Sequence, residues 1–150
     1  MPTYHDVDTR LESALKEVLV DAGITIEIFT SFQDQSETKT LPSLSIKCLG
    51  GVEDSLDSGN ERLSLVLDLR SSALKDADAN PTPGATHKAN WGAVLDVIWD
   101  SELADLLSAT DQSLTVMDSI VRARGPNNTV ENSFMSEITL NMSVAPSTIA

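Results

Sequence analysis

The chain has 150 residues, 41% of them hydrophobic and 22% charged, and its 23 Asp and Glu against 10 Lys and Arg leave a formal charge of -13. A chain of this length buries enough surface for one core without disulfide or metal staples, and its acidic excess is the wrong sign for holding phosphate backbones. Aromatic residues, at 4%, give few platforms for stacking bases or sugars, and the single cysteine, Cys48, excludes an internal disulfide framework and a cysteine-based zinc cage.

The opening residues, Met1 to Asp8, read as an arm without the basic-then-apolar order of a secretory signal. Thr9 and Glu12 form a capping-box pattern, and Leu11, Leu15, Val18, Leu19 and Ala22 share one helical face that Gly23 ends. Ile24, Ile26 and Ile28 then alternate with Thr25 and Glu27, as a strand with one wet face requires. A polar run from Thr30 to Thr40 predicts a long loop, and Pro42 closes it before Leu44, Ile46 and Cys48 alternate in a second strand.

Gly50-Gly51 and Gly59-Asn60 bracket an acidic turn, and Leu63, Leu65, Leu67 and Leu69 mark a third strand that forms a hairpin, or shares an antiparallel sheet, with the second. Ser71 to Asn90 carries Asn80-Pro81-Thr82-Pro83-Gly84 and reads as a second long loop. From about Thr86 a helix presents Trp91, Val94, Leu95 and Ile98 on one stripe, with a break near Asp100 and Ser101 as cap for Leu103, Leu106 and Leu107. Leu114 to Arg124 reads as a fourth strand whose alternation slips near Met117, and Phe134 to Val144 as a fifth, with Gly125-Pro126-Asn127-Asn128 turning between them. Ala145 to Ala150 reads as an unpacked tail. The order α-β-β-β-α-β-β predicts one α+β domain over residues 1–150, with about five mostly antiparallel strands and two or three helices on a face. The core expected of it is Leu11, Leu15, Val18, Ile26, Ile46, Leu65, Leu67, Trp91, Leu95, Ile138 and Leu140, with Cys48 on the same apolar side. No apolar stretch approaches the ~18 residues that a membrane helix needs.

Chemistry finds little to anchor it. His5 and His87 are the only histidines for a nucleophile's base, and both read as exposed surface imidazoles. Cys48 on a strand's apolar face reads as a small hydrophobe rather than a reactive thiol. No glycine-rich turn with phosphate-binding spacing is present, so no nucleotide cofactor is expected. Glu53, Asp54, Asp57 and Glu61 cluster in the acidic turn, but their spacing does not match a calcium loop. That cluster reads as a solvated hairpin tip, with a subunit contact or a metal as alternatives. Trp91 and Trp99 read as helix-to-sheet packing rather than as sugar platforms. The sequence therefore points to no catalytic, cofactor or metal residue.

The succession of an amphipathic helix ending in Gly23, a strand, a polar loop, the strand entry Leu41-Pro42-Ser43-Leu44-Ser45-Ile46, a strand from Arg62 to Arg70, a proline-rich gap, a Trp-bearing helix and two closing strands resembles the tail terminator, or tail-completion, proteins of long-tailed bacteriophages, similar in layout to the lambda-type terminator. The likeness runs from about Asp8 to Val144 and carries over no functional residue. It implies a structural virion protein that assembles in the host cytoplasm as a homo-oligomeric ring, a hexamer, on the last ring of the tail tube protein. Such a ring stops polymerisation and offers its other face to the head-tail connector protein, and the acidic balance of the chain is expected to let DNA pass without binding. A ring needs two complementary faces per subunit, and Arg122 and Arg124, the only closely spaced basic pair, are expected at a subunit contact facing acids such as Glu53, Asp54 or Asp57. Other readings stay open: a head-completion or stopper protein of the neck, a soluble ligand-binding α+β module, or a hydrolase or isomerase whose acids, such as Asp68, Asp96 or Asp118, converge in a cleft.

Overall fold

The computed structural model describes residues 4–30, 42–53, 61–72, 82–112, 114–117, 120–125, 127–130 and 133–146. The chain is of the α+β class, with helices α1 (Tyr4–Asp21), α2 (Pro83–Ile98) and α3 (Leu103–Thr110) on one face of a sheet. Its strands are β1 (Glu27–Thr30), β2 (Ser43–Glu53), β3 (Glu61–Ser72), β4 (Leu114–Val116), β5 (Val121–Arg124), β6 (Asn128–Val130) and β7 (Ser133–Pro146). They lie in the order β1-β2-β3-β7, with β4, β5 and β6 following one another along the far side of β7. Among the described residues only β1 and β2 run parallel. The centre is the antiparallel ladder of β3 and β7, in register from Glu61 opposite Val144 to Ser72 opposite Ser133.

Leu63, Leu65, Leu67 and Leu69 of β3 and Ile138, Leu140, Met142 and Val144 of β7 are all buried on the helix side, because period-2 alternation sends every second side chain to the same face. Leu44 and Ile46 of β2 extend that surface. From above, α1 contributes Val7, Leu11, Leu15, Val18 and Leu19, and α2 contributes Trp91, Val94 and Ile98. The expected core forms one cluster, although Ile26, Leu95 and Cys48 are only partly buried at its rim.

α1 ends as the sequence predicts. Gly23 has φ 96°, its N–H donates to the Val20 carbonyl at 3.0 Å, and the Ile24 N–H donates to Leu19 at 3.1 Å. Those two bonds close the left-handed Schellman turn that favours glycine. Its beginning differs from expectation. The helix includes Tyr4 to Asp8 rather than leaving them as an arm, because Val7 lies one turn before Leu11 and is buried beside it. Thr9 is thus inside the helix, Glu12 is buried, and the capping-box reading fails.

Other boundaries move for local reasons. Gly50-Gly51 is not a turn: β2 continues to Glu53, and a register shift between Cys48 and Gly51 absorbs one extra residue as a bulge. α2 begins at Pro83 rather than Thr86, because proline fits the first helical position and the Thr82 hydroxyl accepts the Ala85 N–H at 3.3 Å. The break near Asp100 is real, but α3 is preceded by Glu102 rather than capped by Ser101, and Asp100 Oδ1 accepts the Glu102 N–H at 2.9 Å. The fourth strand divides into β4 and β5, and the turn region contributes β6. Ala145 and Pro146 belong to β7, opposite Thr115 and Leu114, so the tail is paired that far. The stretches 31–41, 54–60 and 73–81, which hold most of both expected loops and the acidic tip, lie outside the described residues.

Candidate functional site

His87 departs most from its sequence reading. On α2 it shares a face with Trp91, Val94 and Ile98, and it is buried rather than exposed. Its Nδ1 is 2.7 Å from the Ser71 hydroxyl of β3, and its Nε2 is 2.8 Å from the Ser136 hydroxyl of β7. The Ser136 hydroxyl donates to Asn127 Oδ1 at 2.7 Å. With that proton committed, Ser136 accepts from Nε2–H, and Nδ1 is left to accept from Ser71, which fixes the neutral Nε2–H tautomer. The Phe134 ring flanks the imidazole, 5.7 Å between centroids. Burial lowers the pKa of His87 from its ordinary 6.5, in keeping with the neutral ring.

A serine beside a histidine is the start of a nucleophile and base, but here the histidine and both serines are buried. Ser71 and Ser136 are 5% and 1% exposed, and the group orienting the ring is a second serine rather than a carboxylate. The arrangement fastens α2 to two central strands.

A second constellation surrounds Arg122 on β5. Its Nε donates to the Ile98 carbonyl at 2.6 Å, Nη2 to Asp100 at 3.2 Å and Nη1 to Ile120 at 3.1 Å. A guanidinium there satisfies carbonyls at the end of α2 and opposes the negative end of its dipole. The same group lies 5.5 Å above the Trp99 ring. Trp99 is 52% exposed and follows the last helical residue, so it does not pack helix to sheet as expected, whereas Trp91 does. Of the expected contact residues, Arg122 is engaged within its own subunit and Arg124 is exposed. Glu53 lies at the end of β2. Asp54 and Asp57 are outside the described residues, so the expected pairing with them is not on view.

Of the acids expected to meet in a cleft, Asp68 and Asp96 lie apart. Asp68, on the sheet face away from the helices, pairs with Arg70 at 3.5 Å, and its Oδ1 is buried without a hydrogen-bond partner among the described residues. Asp96 instead lines an open groove of about 520 Å³ between the end of α1, α2 and α3, together with Asp21, Asp100, Val97 and Leu106. Asp118 is outside the described residues. Among the described residues no group of three or more His, Cys, Asp or Glu has metal-binding geometry. Cys48 is partly exposed, not fully in the core. Burial first, then the nearby carboxylates of Asp8, Glu12 and Glu61, push its thiol from 9.0 up to about 12. No family model and no curated protein matches the sequence. No helix among the described residues is long and apolar enough to cross a membrane.

The buried histidine had a signal in the sequence. His87, Trp91, Val94 and Ile98 follow the helical spacing i, i+4, i+7, i+11, which places the imidazole on the core stripe. Its serine partners carried none, because they are 16 and 49 residues away along the chain.

Proposed function

We propose that this chain is a structural virion protein that forms a hexameric ring on the end of a phage tail tube, halts its growth and joins the tail to the head connector. The supporting observation is the succession of elements: an amphipathic helix closed by Gly23, a short strand, the β2–β3 hairpin, the helix bearing Trp91, and strands that close against β7. That succession is the layout on which the resemblance to tail terminators rests. The role needs no catalytic group, only two complementary faces per subunit. Sedimentation mass and negative-stain images of the purified chain should give rings, and adding it to growing tail tubes should stop elongation. Binding to filled heads instead would make it the stopper of the neck. A protein that forms no ring and binds neither tubes nor heads overturns the proposal.

The groove between α1, α2 and α3 favours a second reading, a small-ligand-binding module. A monomeric mass together with a melting temperature raised by a metabolite would select it.

A further inference from the structure

The three helices end around one groove. Asp21 and Ala22 at the end of α1, Val97 and Asp100 at the end of α2, and Thr110 at the end of α3 all line the opening of about 520 Å³. We infer that this groove binds a small organic cation, a primary or secondary ammonium carried on an apolar body. The inference rests on the ligand-binding reading above, names the chemistry of the ligand, and holds whether or not the chain assembles into rings.

Much of the lining is apolar. Val18 is buried, Val97 half-buried and Leu106 39% exposed, and the exposed Ala93 adds a small side chain that leaves the opening wide. A groove of this size falls within the ~300–1,000 Å³ of small-molecule sites, in which apolar contact supplies area and a few polar groups fix orientation.

The charge around it has one sign. Asp21, Asp96 and Asp100 line the groove, and among the described residues no lysine, arginine or histidine joins them there. Their placement runs against local physics. A helix C-terminus carries partial negative charge and favours a cation, yet none of the three last turns holds a basic residue, and those of α1 and α2 hold Asp21 and Asp96. Arg122 does reach the end of α2, but it donates to the Ile98 and Asp100 carbonyls and does not line the groove. Arg10 lies 3.9 Å from Asp111, just past α3. A bound cation would offset three carboxylates and the helix ends together.

The donor set narrows which cation fits. No aromatic side chain lines the groove, so it lacks the ring faces that hold quaternary ammonium groups. Among the described residues no three His, Cys, Asp or Glu have metal-binding geometry, which disfavours a bare metal ion. Asp100 Oδ1 accepts the Glu102 N–H at 2.9 Å, an anchor that holds the carboxylate in place while its second oxygen can accept from an ammonium N–H. An apolar body on the same ligand then lies against Val18, Val97 and Leu106.

Hexylamine, hexanol and hexanoate share one apolar chain and differ in charge, so calorimetric titration of the full chain with each tests this. Hexylamine should bind saturably and raise the melting temperature, and the other two should bind more weakly or not at all. Asp21→Asn and Asp96→Asn should each weaken hexylamine binding by up to about fivefold, the range of an exposed ion pair. Asp105→Asn removes the same charge from an exposed position of α3 outside the groove and should leave binding unchanged. Without ligand, the Asp21 and Asp96 variants should melt no lower than the wild type, because both acids sit where helix ends disfavour them. Equal weakening by Asp105→Asn would show that the amine answers only to net charge and would overturn the inference. Hexanol binding as tightly as hexylamine, or a melting temperature that responds to another metabolite but not to hexylamine, overturns the cation while leaving the ligand-binding reading standing. A chain that responds to none of the three probes and to no metabolite overturns both.

Discussion

His87 shows what a single buried polar residue does in this fold. Both ring nitrogens are hydrogen-bonded, so replacing the imidazole leaves the Ser71 and Ser136 hydroxyls short of a partner inside the protein. An unsatisfied buried polar group costs about 1–3 kcal/mol, and His87→Ala is expected to lose at least that in a urea titration, with a cavity adding to it. The pH dependence follows from the lowered pKa. Above 6.5 the ring is neutral in both folded and unfolded chains, and its contribution is fully present. As pH falls below 6.5 the unfolded chain takes up the proton more readily, so stability is lost down to the folded pKa. The wild type should therefore lose more stability than His87→Gln between neutral and mildly acidic pH. Equal slopes would mean the imidazole titrates alike in both states.

At the scale of elements, legibility followed how much pattern each segment carried. β3 and β7 alternate over many residues because one face meets the helices, and their apolar positions were readable directly. β5 has Val121 and Ala123 exposed, with Arg122 only half-buried, so no burial pattern marked its limits, and β6 is three residues of mostly polar sequence paired to β7. The bulge in β2 was hidden because Gly50-Gly51 looks like turn chemistry in isolation, and only pairing with β3 shows the strand continuing. The parallel pairing of β1 with β2 is likewise a tertiary fact that no local pattern encodes. Leu140 tests the central ladder: it is fully buried opposite Leu65. Leu140→Ala should cost about 2–5 kcal/mol, read as a fall in the urea midpoint. The neighbouring Thr139→Ala, on the opposite face and half-buried, should cost far less. Equal costs would show that the assigned register is wrong.

Charge acts on the molecule as a whole. Six chains of -13 each would bring about -78 to a ring, and such a field repels a polyanion unless positive groups line its path. Three of the described basic residues are already engaged within the subunit. Arg122 is bound to carbonyls at the end of α2, Arg70 faces Asp68 at 3.5 Å, and Arg10 approaches Asp111 at 3.9 Å. Arg124 is exposed on β5. A protein through which DNA moves has to avoid holding it, and contacts that neutralise phosphates would raise affinity most steeply at low salt, where counterion release is worth most. The purified chain, as subunit or ring, is therefore expected to leave duplex DNA unshifted in a mobility titration at about 50 mM salt, where exposed charges are weakly screened. Salt-sensitive binding in the micromolar range there would mean that its cations line a phosphate track despite the net charge, and the chain would have to be read as a DNA-contacting protein.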